Sequence, residues 1–126
     1  MCIPFYSNAQ KINRCELLNA LLKHSEAKKV FYFDKHKEVP IVFVDAHNFF
    51  RDCVISNYYG RKIEFVQDSS QVGISNYSNI VINNFSQTSK GYKIGVYYKI
   101  RNAFYQVEFK RSGSNVIVSK FTGGYF

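Results

Sequence analysis

Two Asp-x-His motifs, at residues 34–36 and 45–47, place a carboxylate and an imidazole two positions apart. In a β-strand, residues i and i+2 point to the same face, so each motif offers two side chains of the kind that bind divalent metals. A hairpin between strands at 30–34 and 39–45 would separate the two aspartates by about five residues of one strand, roughly 17 Å. Because they cannot share one ion at that distance, we predict no metal site.

His47 and Cys53 are residue types that serve as general base and nucleophile, and Asp45 or Asp52 could orient the imidazole. Such a site also needs donors for an oxyanion, and no run of glycines or sharp glycine-flanked turn surrounds the cysteine. The G-x-S-x-G pattern of serine hydrolases is absent, as is a glycine-rich loop that leads into a helix and holds phosphate. We therefore predict no catalytic residue and no cofactor.

The first ten residues have the features of the end of a secretory signal peptide. The stretch 2–6 is mostly apolar, and Ser7 and Ala9 have the small-residue spacing that precedes a signal-peptidase cut. A complete signal adds a basic region and about 7–15 apolar residues. We interpret residues 1–10 as a truncated signal peptide, which predicts an exported, periplasmic or secreted, protein. The alternative is an N-terminal strand or arm, which leaves a cytoplasmic protein.

Cys15 and Cys53 would be the two cysteines that remain after a cut behind Ala9. They have no CxxC spacing, so they make a poor zinc site. In an oxidising compartment they are candidates for one disulfide bond, and in a reducing compartment they would be buried thiols.

A helix is predicted from the capping pattern Asn13-Arg14-Cys15-Glu16, in which Asn13 caps the first turn and Glu16 reaches back to it. An apolar stripe with Leu18 and Leu22 continues the helix for about three turns, to near Glu26.

Residues 68–79 are rich in Ser, Asn and Gln and predict a loop, and Tyr59-Gly60-Arg61 predicts a hairpin turn. Strands are predicted at residues 30–34, 39–45, 53–58, 62–67 and 79–85, with Pro40 favouring an edge position for the second of them.

The last third of the chain carries the clearest period of two. Apolar and polar or basic residues alternate over 93–101 and again over 104–110, and glycine or asparagine turns separate these runs from each other and from 116–121. We predict a three-stranded antiparallel meander with an apolar inner face and a basic outer face. The predicted core residues are Leu18, Leu22, Val96, Tyr98, Val107 and Phe109.

The predicted fold class is α+β, with one N-terminal helix packed on a curved, mostly antiparallel sheet of about six to seven strands. Cystatin-like and NTF2-like folds have a similar plan, and the resemblance lies in element order alone. Residues 11–126 have the size of a single domain. The longest apolar runs are about five residues, far below the roughly 18 of a membrane-spanning helix.

The chain carries a formal net charge of +8, with 17 basic and nine acidic side chains. Residues 85–126 hold seven of the basic side chains against Glu108 alone, so this third contributes +6. A field of that sign attracts an acidic partner. We predict that the outer face of the meander binds an acidic protein partner, through Lys93, Tyr97, Lys99, Arg101 and Lys110.

The function predicted from these observations is that of a small exported, non-catalytic binding domain, such as an inhibitor or immunity-type protein. A first alternative is a small-ligand-binding or hydrolytic domain with a pocket between helix and sheet. A second is a single-stranded nucleic-acid binder, since basic and aromatic residues interleave on the predicted outer face. A deep pocket with Asp45, His47 or tyrosines would favour the first alternative, and a filled interior with a flat aromatic and basic surface would favour the binding domain.

Overall fold

A computed structural model describes residues 13–50, 53, 55, 57–68, 79–87, 89 and 91–125. They form a helix-plus-sheet domain that is mostly sheet, with two helices and one curled seven-stranded sheet. The helices are Arg14–Lys23 (α1) and Ser25–Phe31 (α2), and a 3₁₀ helix spans Lys99–Arg101. The strands are Ile41–Val44 (β1), Asn57–Tyr58 (β2), Arg61–Val66 (β3), Asn79–Gln87 (β4), Tyr92–Tyr98 (β5), Ala103–Ser112 (β6) and Asn115–Tyr125 (β7).

Helix α1 begins where the capping pattern predicted. Asn13 is the N-cap, and its side-chain oxygen accepts a hydrogen bond of 2.8 Å from the Cys15 N–H. The Glu16 carboxylate does not return to the cap as predicted, but lies 3.8 Å from the Arg111 guanidinium on β6. The helix also ends earlier than predicted, because His24 has extended backbone angles and α2 starts at the next residue.

The strand predicted at residues 30–34 is wrong, because α2 runs to Phe31 and a turn follows. Ala27 and Phe31 lie four residues apart, so they share one face of α2, and both are fully buried. Tyr32 ends the helix in the left-handed conformation (φ 56°), which is uncommon for a residue other than glycine. The predicted hairpin between 30–34 and 39–45 is therefore wrong as well.

Strand β1 lies in the middle of the sheet, and the edge position favoured by Pro40 is wrong. It runs parallel to β3 on one side and to β4 on the other. All four of its residues are buried, which is typical of a parallel strand covered on both faces. Pro40 precedes Ile41, so its missing N–H removes no hydrogen bond from the strand.

Strands β2 and β3 form the hairpin predicted at Tyr59-Gly60-Arg61, but Arg61 pairs with Tyr58 and is the first residue of β3, so the turn is Tyr59-Gly60. Both turn residues have positive φ angles, 56° and 76°, as a type I′ turn requires. The first strand of this hairpin was predicted at 53–58; among the described residues of that range, Asn57 and Tyr58 are the ones that pair with β3.

The C-terminal meander is confirmed. Strands β5, β6 and β7 pair antiparallel in sequence order and form one half of the sheet, whose full order is β2-β3-β1-β4-β5-β6-β7. Strand β5 ends at Tyr98, so Lys99 and Arg101 lie in the 3₁₀ helix rather than on the strand as predicted. Strand β7 extends beyond the predicted end at Phe121 to Tyr125.

One hydrophobic core joins the helices to the sheet. Leu17, Leu18, Leu21 and Leu22 of α1 are at most 1% exposed and share a cluster with β1, β4, β5 and β6. The six residues predicted to form the core are all buried: Leu18, Leu22, Val96, Tyr98, Val107 and Phe109.

Arg61 is the unexpected member of the interior, at 1% exposed. Its guanidinium donates to the backbone carbonyls of Val39 (2.8 Å), Tyr32 (2.7 Å), Pro40 (3.2 Å) and Phe33 (3.4 Å). Burial lowers the pKa of Arg61, but arginine starts so far above neutrality that it stays charged. The side chain therefore fixes the connection between α2 and β1 from within.

The segment interpreted as a truncated signal, residues 1–10, lies outside the described residues, as does most of the loop predicted at 68–79. Neither described helix is long and apolar enough to cross a membrane.

Candidate functional site

The two Asp-x-His motifs do not form a common site. Asp34 and His36 lie in the turn after α2, where Asp34 is exposed and the His36 ring contacts Tyr32 edge-on. Asp45 is buried directly after β1, and His47 is exposed in the turn that follows. Among the described residues, no three metal-binding side chains come together.

The Asp45 carboxylate has a structural role. Its two oxygens accept hydrogen bonds from the N–H groups of Phe49 (2.8 Å) and Phe50 (2.6 Å), and its own N–H donates to the Val66 carbonyl (2.7 Å). These bonds hold the turn after β1 against the end of β3. A cleft of about 400 Å³ lies beside this turn, and Asn48 and Gln67 are among the residues that line it. The Gln67 side-chain amide donates a hydrogen bond of 2.9 Å to the Asn48 side-chain oxygen. The Asp45 carboxylate thus stabilises this turn.

Cys15 and Cys53 are joined by a disulfide bond, with their Cα atoms 5.3 Å apart. The bond connects the first turn of α1 to the segment between β1 and β2. A sulfur in a disulfide is not a thiolate, so Cys53 offers no nucleophile in this structure. Asp52, the alternative orienting aspartate, lies outside the described residues.

Described side chains fill the space between α2 and the centre of the sheet. Phe31 occupies its centre, with edge-on ring contacts to Tyr98 and Tyr105 at centroid distances of 5.2 and 5.3 Å. Phe31 and Tyr98 are fully buried, and Tyr105 is 7% exposed. The centre of the interior is therefore filled by aromatic rings.

The outer face is the side of the meander that points away from this core. In its first row Tyr97 of β5 lies opposite Phe104 of β6, and in a later row Lys93 and Lys120 lie on either side of Glu108. Lys110 lies two residues further along β6. No ion pair joins these three lysines to an acidic side chain within the part of the chain that is described.

Gly95 makes the aromatic end of the outer face flat. It is buried, and a Cβ atom placed on it would come within 2.8 Å of the tip of the Phe104 ring. The ring therefore lies over the glycine, beside Tyr97. Phe104 and Tyr97 are both half-buried, so each keeps part of its ring accessible.

Lys99 and Arg101 lie at one end of the outer face, in the 3₁₀ helix that connects β5 to β6. Lys99 is exposed. The Arg101 guanidinium lies 5.5 Å over the Tyr32 ring and donates to the Tyr32 hydroxyl, so it also links this turn to the end of α2. The Tyr97 hydroxyl donates to the Asn102 side chain at 2.8 Å, which ties the turn to the face.

A second surface, which the sequence analysis did not identify, is a groove of about 630 Å³ between α1 and β7. We call it the edge groove. Ala20, Lys23 and His24 line it on the helix side, and Val116 and Val118 on the strand side. The sequence signal was a run without charge or proline at 115–119, but only the tertiary structure brings α1 beside it.

No protein-family model matches this chain, and neither curated proteins nor solved structures include a significant match to it.

Proposed function

We propose that this chain is a non-catalytic binding domain that acts by protein–protein contact with an acidic partner. The observation that carries the proposal is the outer face, where a half-buried aromatic pair lies on the same face as three lysines that have no ion-pair partner among the described residues. Aromatic anchors supply most of the energy at protein interfaces, and surrounding charges speed encounter with an oppositely charged partner. An inhibitor or an immunity-type protein is one form that such a domain takes.

The interior supports the same proposal. A small-ligand-binding or hydrolytic domain of the cystatin-like or NTF2-like plan needs an open pocket between helix and sheet. Phe31, Tyr98 and the leucines of α1 fill the space at the centre of the sheet, and the Asp45 carboxylate holds its turn. The edge groove, an opening between helix and sheet, lies at the margin of the sheet. The pocket-based alternative therefore has less support than the contact-based function.

Export is the second part of the proposal. The Cys15–Cys53 disulfide supports it, because structural disulfides form and persist mainly in oxidising compartments. We expect the gene to encode an in-frame extension upstream of Met1 with a basic region and an apolar stretch. A stop codon directly upstream, without such an extension, would contradict export and leave the binding proposal untouched.

The partner-binding proposal is tested with the immobilised wild-type chain and two variants of equal net charge. Lys93→Glu/Lys110→Glu reverses charge on the outer face, and Lys29→Glu/Lys35→Glu reverses two exposed lysines elsewhere. We expect an acidic protein from extracts of the native source to bind the wild type and the control variant, and to be lost from the outer-face variant. Equal loss from both variants would indicate unspecific charge attraction and contradict the proposal.

Once that partner is purified, surface plasmon resonance separates the roles of charge and anchor. The outer-face variant should associate more slowly and with a weaker salt dependence, whereas Tyr97→Ala should mainly raise the dissociation rate. A fluorescent oligothymidine tests the nucleic-acid alternative with the same variants. Tight oligothymidine binding that Lys93→Glu/Lys110→Glu abolishes, without any retained acidic protein, would overturn the proposal.

A further inference from the structure

Strand β7 is the last strand of the sheet, and it is also the longest. Ten of its eleven residues pair with β6 on one side, with a register shift at Ser119, and within the described residues no strand pairs with the other side. Proteins normally protect such an edge with charges, proline, a short strand or a covering element. Residues 115–119 carry no charge and no proline, and Ile117 is 40% exposed. The stretch 115–118 lies before the register shift and Lys120, and no described residue pairs with its outer side, so we take this part of the edge as the one available to another extended chain.

The hairpin register shows which backbone groups point to the open side. Gly113 (φ 64°) and Ser114 form a two-residue turn, and the flanking pair Ser112 and Asn115 is the hydrogen-bonded pair that closes it. Because hydrogen-bonded and non-hydrogen-bonded pairs alternate, Ile117 bonds to β6 and Val116 does not. The N–H and C=O of Val116 therefore point away from β6, along the open edge.

The edge groove lies beside this strand and has the layout of a strand-addition site, in which an extended peptide lies between a sheet edge and a helix. Val116, Val118 and Ala20 give it an apolar floor. Two polar atoms of its lining residues, Glu16 Oε2 and His24 Nδ1, are buried and have no hydrogen-bond partner. The Arg111 guanidinium, 3.8 Å from Glu16, is beyond hydrogen-bond distance. Because these two atoms are shielded from solvent, a peptide in the groove would contact the apolar floor and the strand edge instead.

Charge indicates the occupant. Lys23 lines the groove, Lys110 and Arg111 lie across from Ile117 and Val116 on β6, and Lys120 follows on β7, against Glu16 as the single carboxylate lining the groove. A second copy of the chain would bring another +8 and place its own lysines against these. The charges thus favour an acidic segment over self-association.

We propose that β7 and α1 bind an extended acidic segment of a partner protein, which adds to the sheet as an eighth strand beside β7. This inference rests on the proposed function and states where and how an acidic partner is held. In the complex, backbone groups of the segment bond to Val116, and its small apolar side chains alternate with carboxylates that meet the surrounding lysines.

The test uses backbone-specific variants of the full chain. Val116→Pro removes the outward N–H without removing a bond to β6, and Val116→Thr keeps the N–H in a side chain of the same shape. A displayed library of random ten-residue peptides is selected on the wild type and depleted on Val116→Pro. We expect acidic and small apolar residues to alternate in the enriched peptides. Their affinity for Val116→Thr should be within a few-fold of that for the wild type. Their affinity for Val116→Pro should be at least about tenfold lower, equivalent to about 1.4 kcal/mol.

Folding of each variant is checked by circular dichroism. If Val116→Pro does not fold, Asn19→Trp replaces it in the depletion step, because the exposed Asn19 lines the mouth of the groove and an indole there would block it. No peptide enriched on the wild type over the depletion variant would overturn the proposal. Enrichment of basic peptides, or a wild-type dimer that Val116→Pro converts to monomer, would overturn the acidic occupant.

Amide hydrogen exchange provides the second readout. In the free chain, the Val116 N–H should exchange much faster than that of Ile117, and a selected peptide at about 100 times its Kd should slow it by up to about 100-fold. A Val116 N–H that is already protected in the free monomer would mean that the chain itself covers this edge, and would overturn the proposal. An acidic partner that binds Val116→Pro and the wild type equally, but does not bind Lys93→Glu/Lys110→Glu, would contradict strand addition at β7. The same result would support the proposed function of the outer face.

Discussion

Replacing Arg61 by methionine tests whether a buried guanidinium holds the connection between α2 and β1. Three of its bonds to carbonyls are between 2.7 and 3.2 Å, and the fourth is long at 3.4 Å. Methionine has a similar length but no donor, so these carbonyls lose their partners. Part of the connection is accessible to water, which can replace some bonds, so we take about 1 kcal/mol for each short one. The expected loss in the free energy of unfolding is about 3 kcal/mol.

Two further variants make the interpretation specific. Arg61→Lys keeps the charge but presents a single ammonium in place of the planar fork, so it should lose about 2 kcal/mol. Lys62→Met changes an exposed neighbour whose ion pair with Glu64 (3.6 Å) is solvent-screened, and should cost less than about 0.5 kcal/mol. The expected order of stability is therefore Lys62→Met, then Arg61→Lys, then Arg61→Met.

Urea unfolding followed by circular dichroism and tyrosine fluorescence measures these differences, since the chain has no tryptophan. For a chain of this length, a loss of 3 kcal/mol corresponds to a decrease of about 10 °C in Tm. A loss below about 1 kcal/mol for Arg61→Met would refute the reasoning, because it would mean that water satisfies the carbonyls. A gain in stability would mean that the desolvation cost of the charge exceeds the value of its bonds.

Three other predictions concern the disulfide, the core and a tyrosine. Denatured, unreduced protein should have one titratable thiol, and Cys15→Ala/Cys53→Ala should unfold with about 3–4 kcal/mol less free energy; three reactive thiols would contradict the bond. Phe109→Ala should cost about 3–5 kcal/mol on urea unfolding and the exposed Ile117→Ala less than about 1; a loss below about 1 kcal/mol for Phe109→Ala would mean that the faces of the meander are reversed. Burial raises the pKa of Tyr58, so folding disfavours its ionised form; stability should fall as the pH rises above about 10, and less steeply in Tyr58→Phe.

The C-terminal meander was predictable because each of its strands has one face in the core and one toward solvent. In such strands apolar residues occupy every second position, as do Ile94, Val96 and Tyr98. The start of α1 was predictable for a similarly local reason, since Asn13 caps the helix with its own side chain. The turn at Tyr59-Gly60 also has a local cause in its positive φ angles.

The N-terminal half depended on information that is not local. The aromatic run around Phe31 has strand propensity, but its burial against the sheet stabilises a helix, and neither the break at His24 nor the stop at Tyr32 has a glycine or proline to mark it. β1 has no alternation because both of its faces are buried. The continuous apolar run Ile41–Val44 was the available signal for a central parallel strand.

The central position of β1 has a consequence for synthesis on the ribosome. Its pairing partners appear late, since Ile41 pairs with Ile63 and Val42 with Asn79, 22 and 37 residues further along. Synthesis proceeds at about 5–20 residues per second, so the four apolar residues of β1 are made several seconds before the strands that pair with them. The meander, in contrast, closes through short turns and has little loop entropy to overcome. The nascent chain therefore carries its most aggregation-prone segment early, and the step that buries it must join distant parts of the sequence.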